Sequence, residues 1–275
     1  PLKRDTNRLI FGGTMLQVRN ERGTLVYSKI KSKEASEKIV YNTLTVPVRE
    51  RFQLVLADGT KVFLNSGSEM RYPERFGKAR REVFLKGEAW FEVAKDSARE
   101  FWVHAGAMDV KVLGTSFNVK AYERLETVAT TLVEGSVEVA CAGKSFQIVP
   151  GEQFVYDKNN RVMDVRMVDT ESYVSWKDGY YKFRQTTLEE IMETLSVWYG
   201  LNVFYVNESA KQVEFTGKVR RYEDARMLLD KFEQTGDVVF DIKGNNVFIT
   251  IKQKKPFARE WNSFLVKARG MVWQS

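Results

Sequence analysis

Histidine and cysteine are almost absent from this 275-residue sequence, which contains only His104 and Cys141. A metal or haem site built from several histidines is therefore excluded, as are a four-cysteine cluster and a disulfide within the chain. A catalytic site of the Ser-His-Asp or Cys-His type would have to use His104. A single cysteine also suits an oxidising compartment, where unpaired thiols are a liability.

Long apolar runs are missing as well, since no stretch approaches the roughly 20 apolar residues of a membrane helix. Charged residues make up 29% and hydrophobic residues 43% of the chain, a composition typical of a folded globular protein. The sequence begins at Pro1 rather than at Met. We therefore expect that a segment precedes it in the full-length protein and that any signal or membrane anchor lies there.

The net charge of +7 is concentrated at the C-terminus. Residues 253–275 contain five basic residues and one acidic residue, so they carry +4 and the other 252 residues carry only +3. A modestly charged body with a basic tail does not resemble a nucleic-acid-binding face. We therefore expect no nucleic-acid partner.

The first 175 residues predict an antiparallel all-β domain, either a sandwich or a curled, solenoid-like sheet. Short apolar-alternating runs recur every 8–12 residues between turn signals such as Asp58-Gly59 and Lys86-Gly87. No helical period is evident in this half. The predicted strands are 52–56, 61–64, 82–85, 89–93, 101–103, 110–113, 117–121, 127–133, 136–140, 146–149 and 153–156.

The pattern changes near Trp176 and predicts a small α+β domain of two layers over residues 176–252. Apolar residues at helical spacing predict a helix over 188–199, with Thr187 as N-cap and Gly200 as its stop. A second helix is predicted over 222–235. Strands are predicted at 179–184, 201–206, 213–218, 238–242 and 246–251. The order β-α-β, β-α-β-β suggests one sheet with both helices on one face.

The tail over residues 253–275 mixes aromatic and basic residues, including Trp261, Phe264 and Trp273. Three interpretations remain open. The tail is a final helix packed on the rest of the protein, or an amphipathic segment that binds a partner or a membrane surface, or a disordered or artificial end.

Chemical motifs are mostly missing: no phosphate-binding loop and no zinc-protease motif occurs in the sequence. We predict no cofactor and no metal site. The best carboxylate pair is Glu88 and Glu92, which share a strand face with Trp90 and superficially resemble a sugar-hydrolysing site. Their backbones would lie roughly 13 Å apart, and we expect a solvated outer strand face.

Two further positions have reactive potential. His104 ends a strand, with Ser97 and Ser116 as distant candidate nucleophiles, and a structural role is the simpler interpretation.

Gly114-Thr115 lies between two strands, where glycine is expected to supply unusual backbone angles. A threonine hydroxyl can attack the preceding carbonyl when the peptide is strained and the oxyanion is stabilised. Gly114 and Thr115 are therefore candidates for self-cleavage.

Several strings, taken together and in order, resemble the FecR-type anti-sigma regulators. The resemblance covers roughly residues 50–251. Its strings in the first half are Leu56 to Thr60, Leu64-Asn65, Tyr72-Pro73, Val83 to Val93, Val112 to Val119, Leu132 to Val137 and Pro150 to Gln153. In the second half, Trp176 to Phe183 and Leu188 to Tyr199 resemble the small domain that accompanies the FecR domain. That domain is similar to the short N-terminal signalling domain of secretins and TonB-dependent transporters.

The resemblance implies a non-enzymatic periplasmic sensor, the outer part of a transmembrane anti-sigma factor. Relatives have a cytoplasmic segment that holds an extracytoplasmic-function sigma factor and one membrane helix, both missing from this sequence. A ligand-loaded TonB-dependent outer-membrane transporter presents its N-terminal signalling domain to the sensor, and the sigma factor is released. In some relatives the Gly-Thr bond that Gly114-Thr115 matches cleaves itself.

We expect the partner to add a strand to an open edge of the small domain, at 213–218 or 246–251. The candidate contact residues are Tyr180, Tyr181, Val213, Phe215, Phe248 and Ile249, and Trp198-Tyr199 is a further aromatic pair. The alternative function is a β-rich carbohydrate- or cell-wall-binding protein that uses Trp90, Trp102 or Tyr122. An enzyme limited to self-processing at Gly114 is the third.

Overall fold

A computed structural model describes residues 8–12, 16–21, 24–29, 39–221 and 224–252. The tail over 253–275 lies outside these residues. The first part of the chain consists of strands, as predicted. These are β1 (Arg8–Gly12), β2 (Leu16–Glu21), β3 (Thr24–Lys29), β4 (Tyr41–Thr45), β5 (Phe52–Val55), β6 (Lys61–Leu64), β7 (Glu69–Pro73), β8 (Arg81–Glu92), β9 (Phe101–Ala105), β10 (Met108–Val112), β11 (Ser116–Ala121), β12 (Thr127–Glu134), β13 (Val137–Cys141), β14 (Lys144–Ile148), β15 (Glu152–Asp157) and β16 (Val162–Met167).

These strands form one extended, curled sheet whose main path is β1-β2-β3-β5-β6-β8-β11-β12-β15-β16. The strands β4, β7, β9, β10, β13 and β14 branch from this path. Neighbours pair antiparallel, except for β3 with β5 and β8 with β9. Strand β8 joins the two layers, because its first half pairs with β7 and β9 and its second half with β6 and β11.

Gly87 lies at the point where β8 passes from one layer to the other. The predicted turn at Lys86-Gly87 is wrong, since β8 is a single strand of 12 residues. The φ of Gly87 is +107°, a region that favours glycine. A Cβ there would also lie 2.4 Å from Ser68 Oγ. Glycine is therefore required for the bend and for close packing, and not for a reversal of the chain.

The core of this domain lies between the two layers of the curled sheet. Inward residues alternate with outward ones along most strands, and Leu54, Val62, Phe91, Phe117 and Phe154 are completely buried. The rings of Phe91 and Phe117 stack with their centroids 5.1 Å apart. Each such side chain contributes roughly 1.5–3 kcal/mol through removal from water.

One charged side chain is also completely buried in this domain. Arg81 donates from Nη1 to Asp58 Oδ2 at 2.8 Å and to the carbonyl of Ala94 at 2.8 Å. Its Nε and Nη2 donate to the carbonyl of Arg99. The guanidinium thus joins the β5–β6 loop to the β8–β9 loop, and its charge is balanced by Asp58.

The second part of the chain begins with a short helix, α1 (Thr170–Val174), and a 3-10 turn over Ser175–Asp178. Its main elements follow the predicted order. They are β17 (Tyr180–Thr187), α2 (Leu188–Tyr199), β18 (Asn202–Tyr205), β19 (Glu214–Arg220), α3 (Ala225–Glu233), β20 (Val238–Lys243) and β21 (Asn246–Ile251), with a second 3-10 turn over Glu208–Gln212. The ends of α2 are confirmed: the backbone N–H of Glu190 donates to Thr187 Oγ1, and Gly200 is left-handed with φ +69°.

The strands of the small domain form two sheets, whereas one sheet was expected. Strand β17 pairs with β19, and β18 pairs in parallel with β21, which also pairs with β20. Helix α3 explains the separation because it packs on both sheets. Phe232 contacts Phe183 and Phe215 of the first sheet, while Arg226 donates to the carbonyl of Phe240 in the second. Within the described residues, no helix is long and apolar enough to cross a membrane.

Candidate interaction surface

The two domains share a buried junction that contains two tryptophans. Trp90 of β8 and Trp176 of the 3-10 turn are each 4% exposed and belong to the same cluster as the core of the small domain. The outer face of the large sheet is therefore covered at β8. Trp90 was a candidate for an exposed sugar-binding platform, and its burial removes it from that role.

Glu88 lies within this junction and is 7% exposed. Its two oxygens accept hydrogen bonds from Asn65 Nδ2 at 2.7 Å and from Asn118 Nδ2 at 2.9 Å. The expectation of a solvated strand face is wrong for Glu88, because the small domain packs over it. Glu92 lies at the rim, where it accepts from Trp90 Nε1 and faces Lys61, so the two carboxylates do not form one site.

The C-terminal end of α2 is bound directly to the large domain. The hydroxyl of Ser66 is within hydrogen-bond distance of the carbonyls of Val197 (3.2 Å) and Trp198 (3.3 Å), two of the groups that a helix end leaves unsatisfied. Tyr122 donates to the carbonyl of Ser66 at 2.9 Å, and burial raises the pKa of its hydroxyl well above the ordinary range. Buried contacts therefore couple the position of α2 to the large sheet.

Charged residues surround the same junction. Lys120 of β11 lies 3.6 Å from Glu193 of α2, and Arg166 of β16 lies 3.8 Å from Glu190 of α2. Burial raises the pKa of Glu193, and Lys120 partly opposes this effect. Surface pairs of this kind contribute only about 0–1 kcal/mol each. The buried aromatic and amide contacts therefore hold the domains together more strongly than the ion pairs.

The six residues predicted to contact a partner divide into buried and accessible positions. Tyr181, Phe215 and Ile249 are buried core residues, and Val213 is half-buried with its carbonyl accepting from Leu188 N. Tyr180 and Phe248 are half-buried like Val213, so three of the six reach the surface in part. The difference in burial between Tyr180 and Tyr181, and between Phe248 and Ile249, follows from the strand geometry, because successive side chains of a strand point to opposite faces. Trp198 and Tyr199 are buried as well.

The second small sheet has an outer face on which four apolar residues lie beside the charged Asp241 and Lys243, and of the four only Phe248 was predicted as a contact residue. Phe204 is 47% and Val206 is 61% exposed, and Val239 lies on the same side. The ring of Phe204 stacks on that of Phe248 at 5.1 Å between centroids. We call Phe204, Val206, Val239 and Phe248 the Phe204 face. The sequence indicates this face at residues 201–206. Apolar residues occupy both faces of the strand there, although the strand lies at the edge of its sheet.

Open strand edges adjoin these residues. In the described part of the chain, β18 pairs only with β21, and β19 pairs only with β17. The expectation that 246–251 is an open edge is wrong, because β21 is the central strand of its sheet and both its sides are paired. Strand β18 has an open edge and an exposed aromatic side chain together, which is the arrangement that strand addition needs.

Thr115 is buried, and its hydroxyl donates to the carbonyl of Ser136 at 3.0 Å. Gly114 does not have a positive φ, so the expected role for unusual backbone angles is wrong. Glycine is needed there because a Cβ would lie 2.8 Å from the Cα of Lys95. The contact keeps the Gly114 segment close to the neighbouring loop.

His104 is held by neighbours on both sides. Its Nδ1 lies 2.7 Å from Asp109 Oδ1, and its ring stacks on Phe84 at 4.8 Å. Burial raises the pKa of the Cys141 thiol, which lies inside the domain. Among the described residues, no group of three or more histidine, cysteine or acidic side chains is placed to hold a metal ion. Of the aromatic platform candidates, Tyr122 is buried and Trp102 alone remains partly exposed.

Comparison with known proteins identifies both halves of the chain. A family model described as FecR protein matches residues 42–138, and one described as FecR, C-terminal matches residues 180–249. Two crystal structures from Parabacteroides distasonis ATCC 8503, at 1.65 Å and 2.50 Å, are described as a candidate anti-sigma factor. Both are 27% identical to this chain with TM-scores of 0.70, and cover 77% and 78% of it and all of their own chains. No match was found among curated proteins.

Proposed function

The chain belongs to the FecR family of anti-sigma factors, and we propose that it is the periplasmic sensor part of a transmembrane anti-sigma factor. In this proposal a membrane anchor and a cytoplasmic segment lie elsewhere in the full-length protein. The cytoplasmic segment binds an extracytoplasmic-function sigma factor. The sensor receives its signal from the N-terminal signalling domain of a TonB-dependent outer-membrane transporter, by protein contact alone.

The single observation that carries the docking part of the proposal is the combination of the Phe204 face with the open edge of β18. A strand of the signalling domain would pair with the backbone of Asn202–Tyr205, and its side chains would cover Phe204 and Phe248. Burying large aromatic side chains at the centre of an interface contributes most of the affinity. The partner is inferred from the family, and the place of contact from these residues.

The buried junction supports a route by which the contact would be relayed. Strand β18 follows directly after α2, whose end is hydrogen-bonded to Ser66 of the large domain. A partner strand that moves β18 would act on α2 and then on the Ser66 and Glu88 contacts. The signal would thus pass from the small domain into the large sheet without a chemical step.

A transcriptional reporter tests the partner assignment in cells that contain the full-length regulator. The sigma factor and transporter are those encoded beside the regulator's gene, and the inducer is the transporter's own ligand. We expect induction by the ligand, and no induction when only the transporter's signalling domain is deleted and import still occurs. Undiminished induction after that deletion would overturn the transporter as partner.

A further inference from the structure

Strand β18 is the one outer strand of the small domain, within the described residues, that contains no charged residue. The other outer strands each contain two or more, namely Lys182 and Arg184 in β17, Glu214, Lys218 and Arg220 in β19, and Asp241 and Lys243 in β20. Charges on an edge strand oppose pairing with other segments. The edge of β18 lacks this protection and lies beside the exposed side chains of Phe204 and Val206. We therefore expect it to be covered in the resting protein.

The C-terminal tail begins next to this edge. Strands β18 and β21 are parallel, so both finish at the same end of their sheet. The N–H of Ile251 donates to Asn207 Oδ1 at 3.1 Å, so the chain leaves β21 directly beside the end of β18. A strand added beyond β18 would lie about 10 Å from β21, two strand spacings away. Residues 253–260 span up to about 26 Å when extended, so the tail can reach this position and run antiparallel to β18.

The tail has the composition that such a cover needs. Residues 261–266 are the first stretch of the tail in which four of six residues are apolar, and none of the six is charged. Six residues are enough to pair with the whole of Asn202–Tyr205. Alternate side chains of an added strand point to the same side, so either Trp261 and Leu265 or Phe264 and Val266 would lie on the Phe204 face.

The charges of the tail and of the small domain are complementary. The tail carries +4, whereas residues 176–252 contain eleven basic and twelve acidic residues and carry −1. Two of these acidic residues lie at the end of the sheet from which the tail leaves. The carbonyl of Asp237 accepts from the N–H of Lys252 at 2.9 Å, and Glu208 begins the turn that follows β18. The attraction adds to the apolar contact and is weakened by salt.

Attachment to the chain favours the tail over a second copy or a separate partner as the resting occupant. A short link raises the local concentration of a binding segment to the millimolar range. A segment whose dissociation constant as a separate peptide is about 1 mM would therefore cover its site for much of the time. A second copy would need the same concentration in solution to compete.

We infer that residues 253–275 cover the Phe204 face in the resting protein, with residues 261–266 paired to the open edge of β18. The tail is then an autoinhibitory segment, which the transporter's signalling domain must displace before it pairs with β18. This competition rests on the proposed function, whereas the covering of the face does not.

Photocrosslinking of the whole chain tests the covering without any partner. The photoreactive residue p-benzoylphenylalanine replaces Phe204 in one preparation and Met227 in the other. Both positions are about half exposed, and Met227 lies outside the face. After irradiation of the dilute protein, mass spectrometry identifies the crosslinked peptides. We expect position 204 to crosslink to residues 253–275 of the same chain, and position 227 to do so at least about tenfold less.

Two double substitutions locate the contact within the tail. Trp261→Ser with Phe264→Ser should lower the crosslinking yield at position 204 at least about fivefold, because the apolar contact is lost. Val272→Ser with Trp273→Ser is the matched control and should leave the yield unchanged. Three results would overturn the inference: no crosslink to the tail above the level at position 227, crosslinks between two chains in its place, or equal effects of the two double substitutions.

The competition is tested by titration with the transporter's signalling domain. The chain with Trp261→Ser and Phe264→Ser should bind this domain at least about threefold more tightly than the parent chain, because no tail has to be displaced. Equal affinities would overturn the autoinhibitory role. Absence of binding by both chains would contradict the proposed partner and with it the competition, while the crosslinking result on the covering would stand.

Discussion

Trp176 donates a hydrogen bond from its Nε1 to Oδ1 of Asn118 at 3.2 Å, and this bond crosses from the small domain to the large sheet. The other end of the Asn118 amide donates to Glu88 at 2.9 Å. One amide group therefore satisfies a buried indole and a buried carboxylate at the same time. Asn118 itself is 3% exposed, so water cannot easily replace either bond.

Replacement of Asn118 by Leu should destabilise the protein by about 2–4 kcal/mol, because a buried carboxylate and a buried N–H each lose a partner. Urea denaturation monitored by tryptophan fluorescence measures the change. Asn159→Leu is the control, since Asn159 is exposed in a turn, and its effect should stay within about 0.5 kcal/mol. Equal effects of the two substitutions would show that the Asn118 bonds do not hold the junction.

Arg81→Met should destabilise the large domain by about 3–5 kcal/mol, because it leaves Asp58 as an unpaired charge with its side chain 6% exposed. Arg80→Met is the matched control. Arg80 is 55% exposed and pairs with Glu82 on the surface, so about 0–1 kcal/mol is expected. Equilibrium unfolding measures the free energy of unfolding of both variants. A decrease below about 1 kcal/mol for Arg81→Met would contradict a structural role for the buried pair.

The stability of the junction should depend on pH through Glu193. Burial raises its pKa in the folded protein, Lys120 opposes this, and Glu189 and Glu190 add to it. A raised pKa means that the protonated carboxyl is favoured in the folded protein. The contribution of Glu193 to stability is therefore present below its pKa in the unfolded chain, about 4.3, and is lost as the pH rises through its pKa in the folded protein.

Glu193→Gln should therefore stabilise the protein more at pH 7 than at pH 4, relative to the parent protein. Denaturant unfolding at a series of pH values measures the difference. Glu214→Gln, on the exposed side of β19, controls for the chemistry of the substitution. A stabilisation by Glu193→Gln that is larger at pH 4 than at pH 7 would contradict the direction of the shift.

The Gly114–Thr115 bond should remain intact in the purified protein. The hydroxyl of Thr115 donates to the carbonyl of Ser136, and a carbonyl cannot take up the proton that an attacking hydroxyl must lose. We expect one band near 31.8 kDa on a denaturing gel after prolonged incubation. Two fragments that disappear in the Thr115→Ala variant would establish self-cleavage instead.

Local patterns predicted the elements of the small domain accurately. The apolar spacing from Leu188, the cap at Thr187 and the stop at Gly200 give the observed ends of α2. The division into two sheets was not predictable from the same residues. The division depends on α3 packing against both sheets. The adjacent leucines Leu228 and Leu229, which are both buried in the structure, are the feature of the sequence that reflects this packing.

The junction could not be predicted because its burial depends on residues distant in the chain. Glu88 and Trp90 alternate along β8 as residues of a solvated face would, and Trp176 covers them from 86 positions beyond Trp90. Missed strands have a similar cause. In β7 and β16, charged residues interrupt the apolar alternation, and the strands are held by pairing with β8 and β15.

Isothermal titration of the chain with the transporter's isolated signalling domain tests the proposed docking most directly, using Phe204→Asp and Met227→Asp as matched variants. Both residues are about half exposed, but Met227 lies on α3, outside the Phe204 face. We predict saturable binding that Phe204→Asp weakens at least about tenfold, an effect of about 1.4 kcal/mol or more, and that Met227→Asp leaves unchanged. No binding by the parent protein, or equal binding by both variants, would contradict docking at this face.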